Sequence, residues 1–134
     1  LLPESAQMKG EMQMAHLEKY TAAAAGHMFA HYDQTHSSST SNIDESRTHL
    51  NYNLAEKDQP LSCLDFLHKR MSQIKVLKRA NVNVMCDWVI TAPESLTPGE
   101  QPLFFVECYK FLCNRYGKEN VISAHVHWDE TTPH

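Results

Sequence analysis

The sequence predicts an α+β fold in which single helices alternate with short strands and pack on a sheet. Two apolar stripes at helical spacing carry the prediction: Leu64, Leu67, Met71, Ile74 and Leu77, then Phe105, Tyr109, Leu112 and Tyr116. A third observation is the period-two pattern of residues 120–129, which reads as a half-buried strand packing through Val121, Val126 and Trp128. At 134 residues and 42% hydrophobic content the chain suits one domain with a packed core.

The elements follow in order. Residues 1–11 lack periodicity and are expected to be a leader or a cloning remnant, so the domain is taken as residues 12–134. Residues 12–20 alternate like a strand, and Thr21 is placed to cap a helix begun by four alanines that Gly26 weakens without ending. Residues 35–45, rich in Ser and Thr, form a polar loop, and 48–54 return to an extended segment. Residues 61–79 read as one amphipathic helix with Lys69, Arg70, Lys75, Lys78 and Arg79 on its outer side and no acid between them. Residues 82–91 form a strand, with Val84 and Trp88 packing. The sequence TPGE at 97–100 has the form of a capping box, and Gly117 stops the helix that follows. The resulting order is β-α-β-α-β-α-β, with strand order and direction left open by the pattern.

Charge and cysteine content narrow the function. A formal net charge of −4 argues against a uniformly basic nucleic-acid surface and leaves the local patch at 69–79, which is either a solvated helix face or a DNA contact. Cys63, Cys86, Cys108 and Cys113 lack CxxC spacing and read as core residues of a protein in a reducing cytoplasm. No run approaches the ~20 apolar residues of a membrane-spanning helix.

The chemistry concentrates in HWDETTPH at 127–134, where two imidazoles and two carboxylates fall within one short window. Such a density suits a metal-assisted phosphoryl-transfer or hydrolytic site. Period two puts His125, His127 and Asp129 on one strand face, Glu130 falls at the strand end, and the TTP turn returns His134 toward His127. His127, Glu130 and His134 are therefore expected to converge. The HExxH spacing of helical zinc sites is absent.

This window resembles the HxDExxPHxH motif of the Mob/Pre family, the plasmid mobilisation and recombination relaxases. Two further stretches agree in the same order: GHMFAHYDQ at 26–34 is similar to the family's G-x-x-F-x-H-N-x-R segment, and SRTHLNY at 46–52 to its SRxxxNY segment. The similarity runs from about residue 12 to 134 and takes in the CDWVIT strand at 86–91. It implies an HUH-endonuclease-like relaxase fold, an antiparallel sheet flanked by helices, in which this span stops before the last strand or strands. It also implies site- and strand-specific nicking and joining at a plasmid origin of transfer, through a covalent link to the 5′ phosphate. The implied partners are single-stranded and hairpin origin DNA, and the implied cofactor is a divalent metal, Mn or Mg.

Carried onto this sequence, the resemblance gives His31 as nucleophile, His127 and His134 as metal ligands, and Glu130 at the acidic position. The last histidine of the motif would lie two residues beyond His134, so this span is expected to be weaker in metal binding and activity than the complete domain. Glu130 either binds the ion or orients and deprotonates His31, and the second role is favoured. Arg47 is a candidate phosphate clamp or a surface ion pair with Asp44 or Glu45. Asn51 and Tyr52 contact DNA or pack in the sheet. Tyr32 and Gln34 depart from the family's HNxR, which makes Tyr32 the alternative nucleophile. The triplet His125-Val126-His127 is a decoy for the paired histidines at the far end of the motif. Two other functional classes compete: a metal-dependent phosphoesterase acting on small substrates, and a non-catalytic DNA-binding fragment.

Overall fold

In the computed structural model, residues 15–33 and 43–134 are described, with the side chains of 31–33 excepted. The proposed leader and most of the polar loop lie outside them.

Strand β1 (Ala15–Thr21) pairs antiparallel with β3 (Asn83–Ile90), from Ala15 opposite Ile90 to Thr21 opposite Asn83, with an irregularity at Tyr20/Thr21. Helix α1 (Ala22–Asp33) begins where expected: the Thr21 hydroxyl accepts from the Ala24 N–H at 3.4 Å, and the helix runs through Gly26. Strand β2 (Tyr52–Asn53) pairs antiparallel with β4 (His125–Val126). The described strands thus form two separate two-stranded antiparallel sheets, with helices α2 (Cys63–Ser72) and α3 (Gln101–Tyr116) beside them.

Two small cores hold the elements together. Ala25 and Phe29 of α1 meet Leu67 of α2, with Tyr20, Met71, Val84, Met85 and Ile122 packed around them. Phe105 of α3 meets Ala92 and Val126, with Leu54, Phe104 and Trp128 around them. The second core carries the site, because Val126 and Trp128 flank His127. The Phe105 and Trp128 rings meet edge to face at 5.6 Å, a geometry worth about 0.5–1.5 kcal/mol beyond area burial.

Three expectations change. The helix expected over 61–79 covers only Cys63–Ser72. Ser72 Oγ donates to the Lys69 carbonyl at 2.6 Å and the Gln73 N–H bonds Arg70 instead of Lys69, which tightens the last turn before the stiff Ile74 and Val76. Ile74 and Leu77 consequently lie exposed, and the five basic residues share no helix face. The extended segment expected over 48–54 is a 3₁₀ turn (Glu45–Leu50) before β2, because Asp44 Oδ1 accepts from both the Ser46 N–H and hydroxyl. Cys86 is exposed on β3 while the other three cysteines are half-buried, and none of the four is joined in a disulfide.

Only half of the expected capping box forms: Glu100 Oε1 accepts from the Thr97 N–H at 2.8 Å and from the Thr97 hydroxyl at 2.9 Å, but this closes the turn before α3, whose N-cap is Glu100 itself. Gly117 ends α3 at φ 93°, where a Cβ would lie 2.6 Å from Glu119 Oε1. Only glycine suits that position. Among the described residues no helix is long and apolar enough to cross a membrane.

Candidate metal centre

The 127–134 segment is a closed loop. His127 and His134 exchange two backbone hydrogen bonds, N–H to carbonyl at 2.6 and 3.3 Å, and the Pro133 carbonyl accepts from the Ala92 N–H at 2.9 Å. This pairing is that of directly opposed antiparallel residues. It stacks the two imidazoles at 5.0 Å between centroids and 25° between planes. The turn through Thr131 to Pro133 thus returns His134 to His127 as the sequence predicts. Glu130 joins them, with Oε2 3.3 Å from His134 Nε2.

Regular strand ends at Val126, so the expected alternation of His125, His127 and Asp129 does not continue. His125 is exposed, with its ring 6.2 Å from that of His127, whereas Asp129 is buried at 2% exposure. The ladder from β2 is prolonged instead by two asparagine carboxamides. Asn53 Oδ1 accepts from the Ala124 N–H at 2.8 Å, and Asn51 Oδ1 accepts from the Trp128 N–H at 2.7 Å. Each replaces a backbone acceptor while leaving the local chain free to turn, so the half-strand bearing His127 is gripped at both ends.

The 3₁₀ turn completes the grip. Asp44 N–H donates to the Asp129 carbonyl at 2.6 Å, Ile43 bridges Glu130, Arg47 Nε donates to the Trp128 carbonyl at 3.0 Å, and Thr48 Oγ1 donates to Asp129 Oδ2 at 2.8 Å. Arg47, expected as a phosphate clamp or a surface ion pair, and Asn51, expected to contact DNA or pack in the sheet, both spend polar groups on the metal-motif segment. Arg47 reaches Trp128 rather than pairing with Asp44 or Glu45. Tyr52 remains 39% exposed, its ring 6.3 Å from that of Trp128.

His127, Asp129 and Glu130 each place one ligand atom within 4.8 Å of the others. Burial pushes the Asp129 carboxyl up, but the Thr48 hydroxyl, the Asn51 carboxamide and the neighbouring His127 outweigh it, and the group is displaced below its ordinary value. Its Oδ1 is buried without a hydrogen bond, 4.0 Å from His127 Nδ1. Nitrogen and carboxylate donors at this density suit a divalent cation of intermediate hardness. The side chains of His127, Glu130 and His134 keep 25–30% exposure, so the cluster is accessible. They line a cleft of about 910 Å³ together with Met85, Trp88 and Phe105.

The other predicted residues are dispersed. The backbone of His31 and Tyr32 lies in the last turn of α1, and their side chains fall outside the described residues. Lys69, Lys75, Lys78 and Arg79 are exposed, while Arg70 is half-buried and donates from Nε to Asn120 Oδ1 at 2.7 Å. The sequence reading placed Asp129 on the strand face without giving it a role, and overlooked Thr48. The xTxxN spacing within 46–52 was the available signal, since residues three apart on a 3₁₀ turn share a side.

The family model for plasmid recombination enzymes, Mob/Pre, matches residues 9–134. Plasmid recombination enzymes of Streptococcus agalactiae and a Bacillus species are each 34% identical to this chain, over 90% and 81% of it but only 26% and 28% of their own length. A type 2 plasmid recombination enzyme of Staphylococcus aureus is 32% identical over 85% of the chain and 29% of its own. The chain thus spans between a quarter and a third of these relatives. Among solved structures, the manganese-bound relaxase domain of MobM on 22 nucleotides of plasmid pMV158 oriT DNA is 29% identical, with a TM-score of 0.72 over 90% of this chain and 65% of that one. The same domain on 23 nucleotides gives 28% identity and a TM-score of 0.65. The chain belongs to the plasmid recombination enzyme (Mob/Pre) family, and its α+β fold is that of the MobM relaxase domain over the span they share.

Proposed function

We propose that this chain is the metal-binding part of a plasmid mobilisation relaxase, acting in the bacterial cytoplasm on single-stranded or hairpin origin DNA. The observation that carries the reading is the backbone-closed turn that stacks His127 on His134 with Glu130 alongside. Relatives 34% identical to the chain are named plasmid recombination enzymes, and the solved MobM domain is described as bound to oriT DNA and manganese.

His127 and His134 would hold a divalent ion, Mn²⁺ or Mg²⁺, with Glu130 on the acidic side. Such an ion supplies Lewis-acid withdrawal of charge from a scissile phosphate. The rest falls to the chain. A neutral His31 imidazole attacks phosphorus, forming an N–P bond while the P–O3′ bond breaks, and the leaving 3′ oxygen takes a proton from solvent. Glu130 orients His31 and accepts its ring proton, unless it serves as a ligand. The phosphoramidate conserves the energy needed for rejoining, when a 3′ hydroxyl attacks the same phosphorus. Tyr32 is the competing nucleophile on the same helix turn, where neighbouring side chains diverge by roughly 100°.

Exposure supports a narrower DNA-facing set than the sequence suggests. Lys69, Lys75, Lys78 and Arg79, all exposed, supply phosphate contacts, and Tyr52 offers a ring for base stacking. Arg47 contributes through the guanidinium nitrogens not bonded to Trp128, whereas Asn51 and Arg70 act within the protein.

The test is strand cleavage. With Mn²⁺ and a supercoiled plasmid carrying the DNA that flanks its own gene, the protein should form a covalent DNA adduct that survives denaturation, is lost in His31→Ala and is labile to acid. Turnover of small phosphoesters without an adduct would favour a hydrolase. A gel shift alone would favour a binding fragment.

A further inference from the structure

Asp129 is the one buried charged side chain among the described residues, and its two oxygens are treated differently. Oδ2 accepts from the Thr48 hydroxyl, which fixes the plane of the carboxylate. Oδ1 has no donor in full hydrogen-bonding geometry, only the weaker pull of the Asn51 carboxamide, and lies 4.0 Å from Nδ1 of His127. A buried carboxylate oxygen left in this state keeps its full desolvation penalty, so a donor reaching it is strongly favoured. The Asn51 carboxamide nitrogen lies 3.5 Å from the same Nδ1 and could bond it only as a donor to the ring lone pair, but at the limit of hydrogen-bond length a neutral N–H competes weakly with the charged carboxylate for that ring nitrogen.

We propose that Asp129 is a positioning residue for His127 rather than a metal ligand, with Thr48 as the residue that aims it. The Nδ1 proton of His127 is directed to Asp129 Oδ1, which leaves the lone pair on Nε2, the nitrogen available for a cation. Thr48 belongs to the 3₁₀ turn and Asp129 to the motif loop, so the tautomer of His127 is set from a different element through a single hydroxyl. Asn51 holds the backbone between them at Trp128, keeping ring and carboxylate in register. An orienting carboxylate of this kind changes metal affinity by about 10–100-fold when removed. The assignment rests on the metal reading above only for what Nε2 meets, since the tautomer is a property of the chain.

Two measurements test it separately. Long-range ¹H–¹⁵N spectra of the metal-free chain with labelled histidine should show His127 protonated at Nδ1, and Asp129→Ala should move that proton to Nε2. Calorimetric titration with Mn²⁺ should show affinity about 10–100-fold weaker in Asp129→Asn. It should be several-fold weaker in Thr48→Val and restored in Thr48→Ser, which keeps the hydroxyl. A wild-type His127 protonated at Nε2 overturns the proposal, as does Thr48→Val binding Mn²⁺ like wild type. Loss beyond roughly 1,000-fold in Asp129→Asn would exceed an orienting effect, make Asp129 a direct ligand and equally overturn it. If the wild-type chain takes up no Mn²⁺, the metal reading fails, and the tautomer still decides the positioning role.

Discussion

The 127–134 loop and the 69–79 segment hold most of the chemistry-bearing residues, and they are built by opposite rules. In the loop nearly every polar group is spoken for: two backbone bonds close it, two asparagines and Arg47 grip its peptide groups, and Thr48 aims its buried acid. In the basic segment regular helix ends at Ser72, and Lys75, Lys78 and Arg79 stand in solvent. Coordination depends on angle and distance within a fraction of an ångström, so its ligands need over-determined backbone. Attraction to a polyphosphate depends on charge density averaged over a Debye length, so its cations need only be present.

The largest effect should separate the two regions outright. His127→Ala or His134→Ala is expected to weaken Mn²⁺ binding at least about 100-fold, more than loss of an orienting partner does, while thermal stability changes by no more than about 1 kcal/mol because the backbone pair between these residues survives. Neutralising Lys75, Lys78 and Arg79 together should leave Mn²⁺ affinity within about two-fold, since charges standing in solvent are screened by salt. Calorimetry on the four proteins checks both halves, and a large Mn²⁺ effect from the basic residues would break the contrast.

The same contrast explains what the sequence disclosed. The convergence of His127, Glu130 and His134 was legible because it needs only a strand end and a TTP turn, both local signals. The stop of α3 at Gly117 and the strand at 83–90 were legible for the same reason. The end of α2 was not, because Ile74 and Leu77 continue the helical spacing and the Ser72 back-bond that stops it has no distinctive pattern. The burial of Asp129 was hidden too. It depends on Thr48, 81 residues away in sequence, and on asparagines that imitate a strand rather than continue one. Local periodicity reports faces, whereas a side chain standing in for a backbone acceptor breaks the period and leaves no trace in it.

A smaller, graded effect is expected for DNA. Replacing Lys75, Lys78 and Arg79 with Gln should flatten the salt dependence of single-strand binding by roughly 0.7 in log–log slope for each phosphate that is no longer neutralised. Arg70→Gln should behave differently. Its guanidinium is committed to Asn120, so the slope should hold while stability falls by about 1 kcal/mol, the ordinary worth of one hydrogen bond. Equal slope changes for Arg70 and the three exposed residues would show that α2 itself faces the DNA.

The smallest effect sharpens the comparison, because it concerns built geometry without burial. Tyr109 donates to Asp58 Oδ2 at 2.9 Å and Lys118 sits 3.2 Å from Oδ1, tying the turn after β2 to α3. The Tyr109 hydrogen bond, followed by that of Lys118, lowers the Asp58 carboxyl below its ordinary range, while burial first and then this acid raise the Tyr109 phenol above 10.0. A lowered carboxylate contributes stability that is fully present above its unfolded value near 4 and is lost as pH falls through the folded value. A raised phenol contributes stability present below 10.0 and lost as pH rises through its folded value. Melting temperature against pH should therefore fall less steeply below pH ~4 in Asp58→Asn than in wild type. Tyr109→Phe should remove the alkaline decline and part of the acid one. Because Asp58 and Lys118 lie in solvent, both differences should shrink in salt, which the Thr48–Asp129 contact, buried in the motif loop, should not do. An Asp58 effect that persisted at high salt would mean that this corner is held as tightly as the metal loop, and that burial is not what distinguishes them.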